Sequence, residues 1–287
     1  MSNLQQTNSR LVAAMGRYQV GDIRPWVISL ADTRQLARAH ACSLREVELA
    51  ALAAEVVPAR YLRNVGTAGL EGQRRLLQST VAVLGAGGLG GWVIEGLARM
   101  GVGHLIVVDG DCFEENNLNR QLGCTESTLG MPKAQVLARR VGEINGTVTV
   151  TPHVCWFDAQ NGPALLAGAQ VIVDALDTLP VRYTLQQVAA QLGLPLVHGA
   201  IAGYMGQVMT ILPGDPGLRA LYGALESIPD RGVETELGNP SATPMMVSAW
   251  QVQEVVKLLL NQGMLLRHRI LIMDAEYGEF REVELAS

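Results

Sequence analysis

Lysine is nearly missing from this sequence. Of its 22 basic residues, only Lys133 and Lys257 are lysine. Arginine and lysine are not equivalent beside a bound anion, so the two survivors mark positions where a slim point charge is wanted. Aromatics are scarce as well, with 3 Phe, 6 Tyr and 4 Trp in 287 residues, which disfavours an all-β sandwich. Cysteine is limited to Cys42, Cys112, Cys124 and Cys155, no two of them in C-x-x-C spacing. Neither a zinc knuckle nor a thioredoxin-type pair can be read, and the four fit reduced thiols of a cytoplasmic protein. No apolar run reaches the roughly 18–20 residues of a membrane span. The opening MSNLQQTNSRLVAAMG has too short an apolar stretch for a secretory leader. Positive charge is not in excess either. The net charge is −5, which argues against a chain-wide nucleic-acid or anionic-membrane binder.

What is abundant is glycine, at 31 of 287 residues against a usual share of roughly 7%. Glycine excess with few aromatics suits an α/β enzyme with tight strand–helix turns. Residues 1–57 are expected to form an arm and a helical hairpin. Residues 1–30 show little periodicity and read as a loose arm. Asp32 can cap a short helix with Leu36, Ala37 and Ala41 on one face. Ser43 and Glu46 have capping-box spacing ahead of a second helix, which Pro58 is expected to end. Glu46, Glu48 and Glu55 on that helix would repel phosphates, so a docking hairpin is favoured over a nucleic-acid recognition helix.

Residues 58–287 read as one α/β unit. Val81–Leu84, Leu105–Asp109, Val148–Pro152, Val171–Asp174 and Leu196–His198 are expected strands. Leu89–Met100, Lys133–Ile144 and Arg182–Leu192 are expected helices between them. This alternation implies right-handed βαβ units and a parallel sheet covered on both faces. Gln207–Leu212 and a hairpin of Arg269–Met273 with Phe280–Val283 add an antiparallel portion, after a long loop region 213–239 and a helix Pro244–Asn261. The fold class is α/β: a Rossmann-like mixed sheet with helices on both faces, plus the short N-terminal helical extension.

The chemistry gathers at the ends of the strands. Gly85, Gly87, Gly88 and Gly90 lie in GAGGLG between a strand and a helix, where free backbone N–H groups favour a phosphate. Asp109 ends the next strand, placed for ribose hydroxyls. Alone these predict a nucleotide, and NAD or FAD as readily as any other. The following run, DGDCFEENNLNRQ, adds acids, Asn117 and Arg120, and Lys133 comes soon after. That density suits a triphosphate with Mg²⁺, whose oxygens Arg and Lys neutralise. Asp177 follows a further parallel strand and is a candidate Mg²⁺ ligand, or else the N-cap of the helix before Arg182.

These motifs, with Gly130-Met131-Pro132-Lys133 and Asp174-x-x-Asp177, resemble the ThiF/MoeB/HesA family, bacterial relatives of ubiquitin-activating enzymes, over roughly residues 60–285. The resemblance implies an ATP-dependent adenylyltransferase. It would activate the C-terminal Gly-Gly carboxylate of a small ubiquitin-like sulfur-carrier protein, giving acyl-adenylate and pyrophosphate. It assigns Gly88 to the phosphates, Asp109 to the ribose, and Asn117, Arg120 and Lys133 to the triphosphate. Asp177 would take Mg²⁺, with Arg182 as its neighbour and orienter. Thr178 stands where the family often has Asn beside the nucleotide. Arg63, in Arg60-Tyr61-x-Arg63, would be an arginine finger reaching into the partner subunit's site, which implies a homodimer. Small residues around Gly199–Gly206 suit a threaded Gly-Gly tail, with His198 beside them.

Two departures bear on the chemistry. The family's zinc-binding C-x-x-C pairs are missing, so no zinc is expected. The stretch 234–240 has no cysteine, so an enzyme thioester there is excluded and the chemistry is expected to stop at the adenylate. Alternative readings are adenylation of another carboxylate (peptide, small molecule or tRNA-linked) and a nucleotide-binding regulatory or scaffold protein.

Overall fold

The computed structural model describes residues 3–18, 25–225 and 234–285. Helix α1 (Asn3–Met15) opens the chain, where the low periodicity suggested a loose arm. Its polar sequence hides a narrow apolar stripe whose Leu11 and Met15 are fully buried. Residues 1–2 and 19–24 of that arm lie outside the described residues. Strand β1 (Trp26–Ile28) and helix α2 (Leu30–His40) follow. The cap of α2 is Ser29, three residues before the expected Asp32. The Ser29 hydroxyl accepts from the Asp32 N–H, and Asp32 sits in the first turn beside the helix's positive end. Helix α3 (Leu44–Ala53) carries the expected Ser43–Glu46 capping box. It stops five residues short of Pro58, because Val56–Pro58 is strand β2, paired in parallel with β1. Ile28, Leu36, Val47, Ala50 and Val56 close a small core of this unit with α1.

Next comes helix α4 (Val65–Gln78), interrupted at Gly69, whose φ is 71°. The βα alternation then runs β3 (Thr80–Leu84), α5 (Gly88–Met100), β4 (His104–Val108), α6 (Lys133–Ile144), β5 (Thr149–His153), α7 (Gly162–Leu165), β6 (Val171–Asp174), α8 (Leu179–Gln191) and β7 (Leu196–Ala202). Strand β8 (Met205–Ile211), two short helices α9 (Leu218–Tyr222) and α10 (Glu234–Leu237), the long α11 (Ala242–Leu260), and strands β9 (Arg269–Asp274) and β10 (Glu279–Glu284) complete the chain. Residues 226–233, within the expected long loop, lie outside the described residues.

The main sheet has eight strands in the order β10-β9-β8-β7-β6-β3-β4-β5. Strands β7, β6, β3, β4 and β5 are parallel, and β8, β9 and β10 join antiparallel. Side chains alternate between two faces with the period of a strand. Val81 and Val83 of β3 pack into the cluster that holds α5, α6 and α11. Ala82 and Leu84 enter the cluster of α8 on the opposite face. Both faces are thus covered, as a parallel sheet requires. The strand order reverses between β3 and β6. Crevices outside the carboxyl ends of strands at such a switch point are where open α/β sheets bind ligands.

Candidate functional site

The glycine turn crosses that switch point. Gly85 takes a φ of 92°, and a Cβ there would stand 2.4 Å from the Ala175 carbonyl oxygen of the loop after β6. A Cβ on Gly90 would stand 1.8 Å from the Gly85 carbonyl oxygen. The first turn of α5 can therefore lie against the end of β3 only because both residues are glycine. Gly87 faces the Gln121 amide, and Gly88 faces Arg120 and Pro244. The four glycines thus form a bare backbone cradle at a helix N-terminus, with an arginine beside it.

Asp109, just past β4, folds over this cradle. Its Oδ2 accepts from the Ala86 N–H at 2.6 Å and its Oδ1 from the Asp111 N–H at 2.8 Å. Burial pushes its carboxyl pKa up, against the pull of those two amides and of Lys133. The segment after Asp109 is tied by local hydrogen bonds. Asn117 is buried; its Oδ1 accepts from the Glu114 N–H, so it acts as a local cap. Arg120 Nη1 donates to the Asn116 carbonyl and to Asn119 Oδ1. Lys133, the first residue of α6, is buried, and its Nζ lies 2.9 Å from Asp111 Oδ2. The other lysine, Lys257, instead donates to the Met264 carbonyl near the end of α11 and pairs with Glu254.

The loop after β6 supplies the remaining groups. Asp177 is exposed, and among the described residues it has no ion pair or hydrogen bond through its carboxylate. It does not cap α8. Thr178 holds the N-cap position, without a side-chain bond. Arg182 is buried and turns back, donating to the Leu176 carbonyl one residue before Asp177, with its Nε 3.8 Å from Asp174 Oδ2. Asp174 is ionised: Arg182 and His198 hold its carboxyl below the usual range against its complete burial. His198 is fully buried, and its pKa is lowered by that burial. Its Nδ1 meets Asp174 Oδ2 at 2.7 Å and its Nε2 meets the Tyr222 hydroxyl at 3.2 Å. A neutral imidazole with both nitrogens engaged is a structural link between β6, β7 and α9, with no free nitrogen for proton transfer. Of the two thiols nearest the nucleotide motif, Cys112 is exposed, while Cys124 is buried and burial pushes its thiol pKa up.

Arg63 stands apart. It is exposed and has no hydrogen bond or ion pair among the described residues. Its neighbour Asn64 donates to the Met100 carbonyl, at the far end of α5 from the glycine cradle. The 12 residue steps from Gly88 to Met100 span roughly 18 Å at 1.5 Å each, beyond the reach of an arginine side chain. Sequence reasoning missed Gln121, the last residue of the NLNRQ run. It is buried against Gly87, and its Oε1 has no hydrogen-bond partner. Its place in the motif was the available signal. Asn119 was also missed: its Nδ2 donates to the Asn239 carbonyl and so ties the loop after β4 to the segment before α11.

A doubly wound α/β protein with a phosphate-type glycine turn, flanked by two cations and an unpaired carboxylate, is what the fold and site define. Residues 61–287 match the ThiF family, and the chain belongs to it. It is 42% identical over 229 residues to the SAMP-activating enzyme E1 of Haloferax volcanii, covering 78% of this chain and 84% of that protein. It is 36% identical over 227 residues to the sulfur carrier protein adenylyltransferase of Thermus thermophilus, covering 75% and 82%. Among solved structures, PaaA superposes with a TM-score of 0.66 at 22% identity, covering 78% of this chain and 82% of that one. MccB of E. coli with MccA-N7isoASN gives 0.68 at 19%, covering 79% and 72%. Those two likenesses concern the fold.

Proposed function

We propose that the protein is an ATP-dependent adenylyltransferase that activates the C-terminal glycine carboxylate of a ubiquitin-like sulfur carrier. The names of the two relatives support the carrier as substrate. The observation that carries the nucleotide assignment is the unpaired Asp177 carboxylate at the same switch point as the glycine cradle, Arg120 and Lys133. A dinucleotide needs no such group, whereas a triphosphate brings Mg²⁺.

The residues fit that ion in a particular way. No group of three or more His, Cys, Asp or Glu side chains among the described residues could hold a metal. Mg²⁺ is usually held by one or two carboxylates together with phosphate oxygens and water. Asp177 therefore suits a metal that arrives with the nucleotide, which supplies neutralisation of phosphate charge when bound. Gln121 Oε1, buried without a partner beside Gly87, is likewise open to a ligand donor or a water.

In this reading the glycine cradle receives the phosphates and Asp109 turns to the ribose. Lys133 exchanges part of its bond to Asp111 for phosphate oxygens, and Arg120 swings from its loop contacts over Gly88. Arg182 keeps the Leu176–Asp177 backbone in place. A carrier carboxylate oxygen attacks the α-phosphorus. The new O–P bond forms as the bond to pyrophosphate breaks. Positioning and charge neutralisation suffice for this step, so the protein needs no nucleophile of its own, and no thioester is formed at residues 234–240. Arg63, beside the end of α5 that is far from its own cradle, completes the site of a second copy in a homodimer.

ATP–pyrophosphate exchange in the presence of a Gly-Gly-ended carrier tests the activity. Exchange should require the carrier, and Lys133→Ala and Asp177→Ala should each lower it by about a hundredfold or more with little change in thermal midpoint. Wild-type exchange in either variant would remove that residue from the site. Exchange stimulated only by a short peptide or a small carboxylate would change the acyl substrate.

A further inference from the structure

We propose that the helical unit before β3 is a positioning device for Arg63, and that Glu48 is the residue through which it acts. The inference rests on the reading of Arg63 as a group acting in a second copy's site.

The observations concern residues 60–64. Arg63 and Leu62 before it are offered to solvent, yet the side chains of Tyr61 and Asn64, which bracket the pair, are pinned. Tyr61 is fully buried, packed with Leu52 of α3 and Leu77 of α4. Its hydroxyl lies 3.1 Å from Thr147 Oγ1 and accepts from Asn145 Nδ2 at 2.9 Å. Asn64 donates to Gln73 and to the Met100 carbonyl. A Cβ on Gly101 would stand 2.6 Å from the Tyr61 ring, so the end of α5 is shaped around that ring. Arg60 is the remaining anchor. One of its guanidinium nitrogens donates to Asn145 Oδ1, while its Nε lies 3.2 Å from Glu48 Oε1.

Glu48 is the part of this cluster that the helical unit contributes. Its side chain is 1% exposed, in the middle of α3. A carboxyl group placed there is costly unless it is paired, and its ion-pair partner is Arg60. The same helix makes a second junction, since Arg45 donates to the Gly103 carbonyl at 2.8 Å and to Thr149 Oγ1. The unit therefore grips the amino-terminal end of the sheet and holds Arg60 from outside. Tyr61, Asn64 and Arg60 together leave the backbone of Arg63 little freedom. A finger that must enter another subunit's site gains from a fixed base, because a misplacement of about 1 Å at such a group can cost two orders of magnitude in rate.

A change that only weakens the fold lowers activity wherever it is placed. A change that misaims Arg63 lowers it only in the chain that donates the finger. Hybrid dimers separate the two. One chain carries Asp177→Ala and so contributes only its Arg63; the other holds the single working site. The two chains carry different affinity tags, and only doubly retained dimers are assayed for ATP–pyrophosphate exchange with a Gly-Gly-ended carrier. Glu48→Gln, and separately Glu48→Ala, is introduced into the donating chain or into the receiving chain. The ratio of the two activities is the readout.

The proposal expects a ratio of about one-tenth or less, lower for alanine than for glutamine. A ratio near one for both substitutions overturns it, as does loss of activity in both placements, which would make Glu48 merely structural. Arg63→Ala in the same two placements tests the underlying reading. If its ratio is also near one, the finger assignment falls; if it is low while that of Glu48 is not, only the positioning role falls.

Discussion

Glu48 shows how a single buried acid can contribute to the pH response of a fold. Burial raises its pKa from 4.5 to about 7, and the attraction of Arg60, with the nearby Thr147 and Tyr61 hydroxyls, only partly opposes this. The folded-state value is above the unfolded one, so the folded chain holds an extra proton between them. Stability is then greatest below pH 4.5 as far as this group is concerned, and it is lost as pH rises to about 7. The loss is at most roughly 3 kcal/mol. Urea denaturation between pH 5 and 8 should show the wild type losing stability relative to Glu48→Gln. Parallel curves for the two proteins would mean that Glu48 stays ionised throughout. The same residue illustrates what the sequence could tell. Glu48 was legible as a charge that keeps nucleic acid away from α3, but its burial against Arg60 depends on a packing between distant segments. Lys133 and Asp177 stood out in the sequence as candidates, the one by rarity and the other by following a strand end. His198 was legible only as a choice between a general base beside the expected tail channel and a hydrogen-bonded structural group, and the structure closes it between Asp174 and Tyr222.

At the scale of elements, legibility followed local chemistry. Lys133–Ile144 and Val171–Asp174 match the expected bounds because a proline or a clean apolar run delimits them. Helix α4 went unnoticed, since Gly66, Gly69 and Gly72 weaken its helical signal and Gly69 breaks its geometry. The cap of α2 was misplaced because Ser29 and Asp32 both offer an oxygen, and the strand β1 ahead of it decides which one comes first. The turn between β3 and α5 is the element whose sequence is least negotiable. Gly90→Ala would put a methyl 1.8 Å from the Gly85 carbonyl oxygen, forcing the helix off the strand. We expect a loss of about 1–3 kcal/mol in stability together with loss of ATP-dependent exchange. Gly142→Ala, on the exposed side of α6 with nothing near its Cβ, should instead stabilise by about 0.5–1 kcal/mol. Urea midpoints of the two variants check both signs.

For the whole molecule, the decisive feature is that Arg63 and the glycine cradle lie at opposite ends of α5. Each position was marked in the sequence, but the distance between them appears only once α5 joins them. An Arg63→Ala chain mixed with an Asp177→Ala chain should regain exchange in the doubly tagged dimer, where one site keeps both groups. Inactivity of that confirmed hybrid, beside an active wild-type hybrid, would return Arg63 to its own subunit, whereas an active Arg63→Ala homodimer would remove it from the reaction.

If Arg63 serves a second copy's site, as proposed, the length of α5 has a genetic consequence. A chain lacking Asp177 alone, co-expressed with the wild type, would be recessive, since it still lends its arginine to its partner. A chain lacking both Arg63 and Asp177 would silence every wild-type protomer it pairs with, and so behave as a dominant poison.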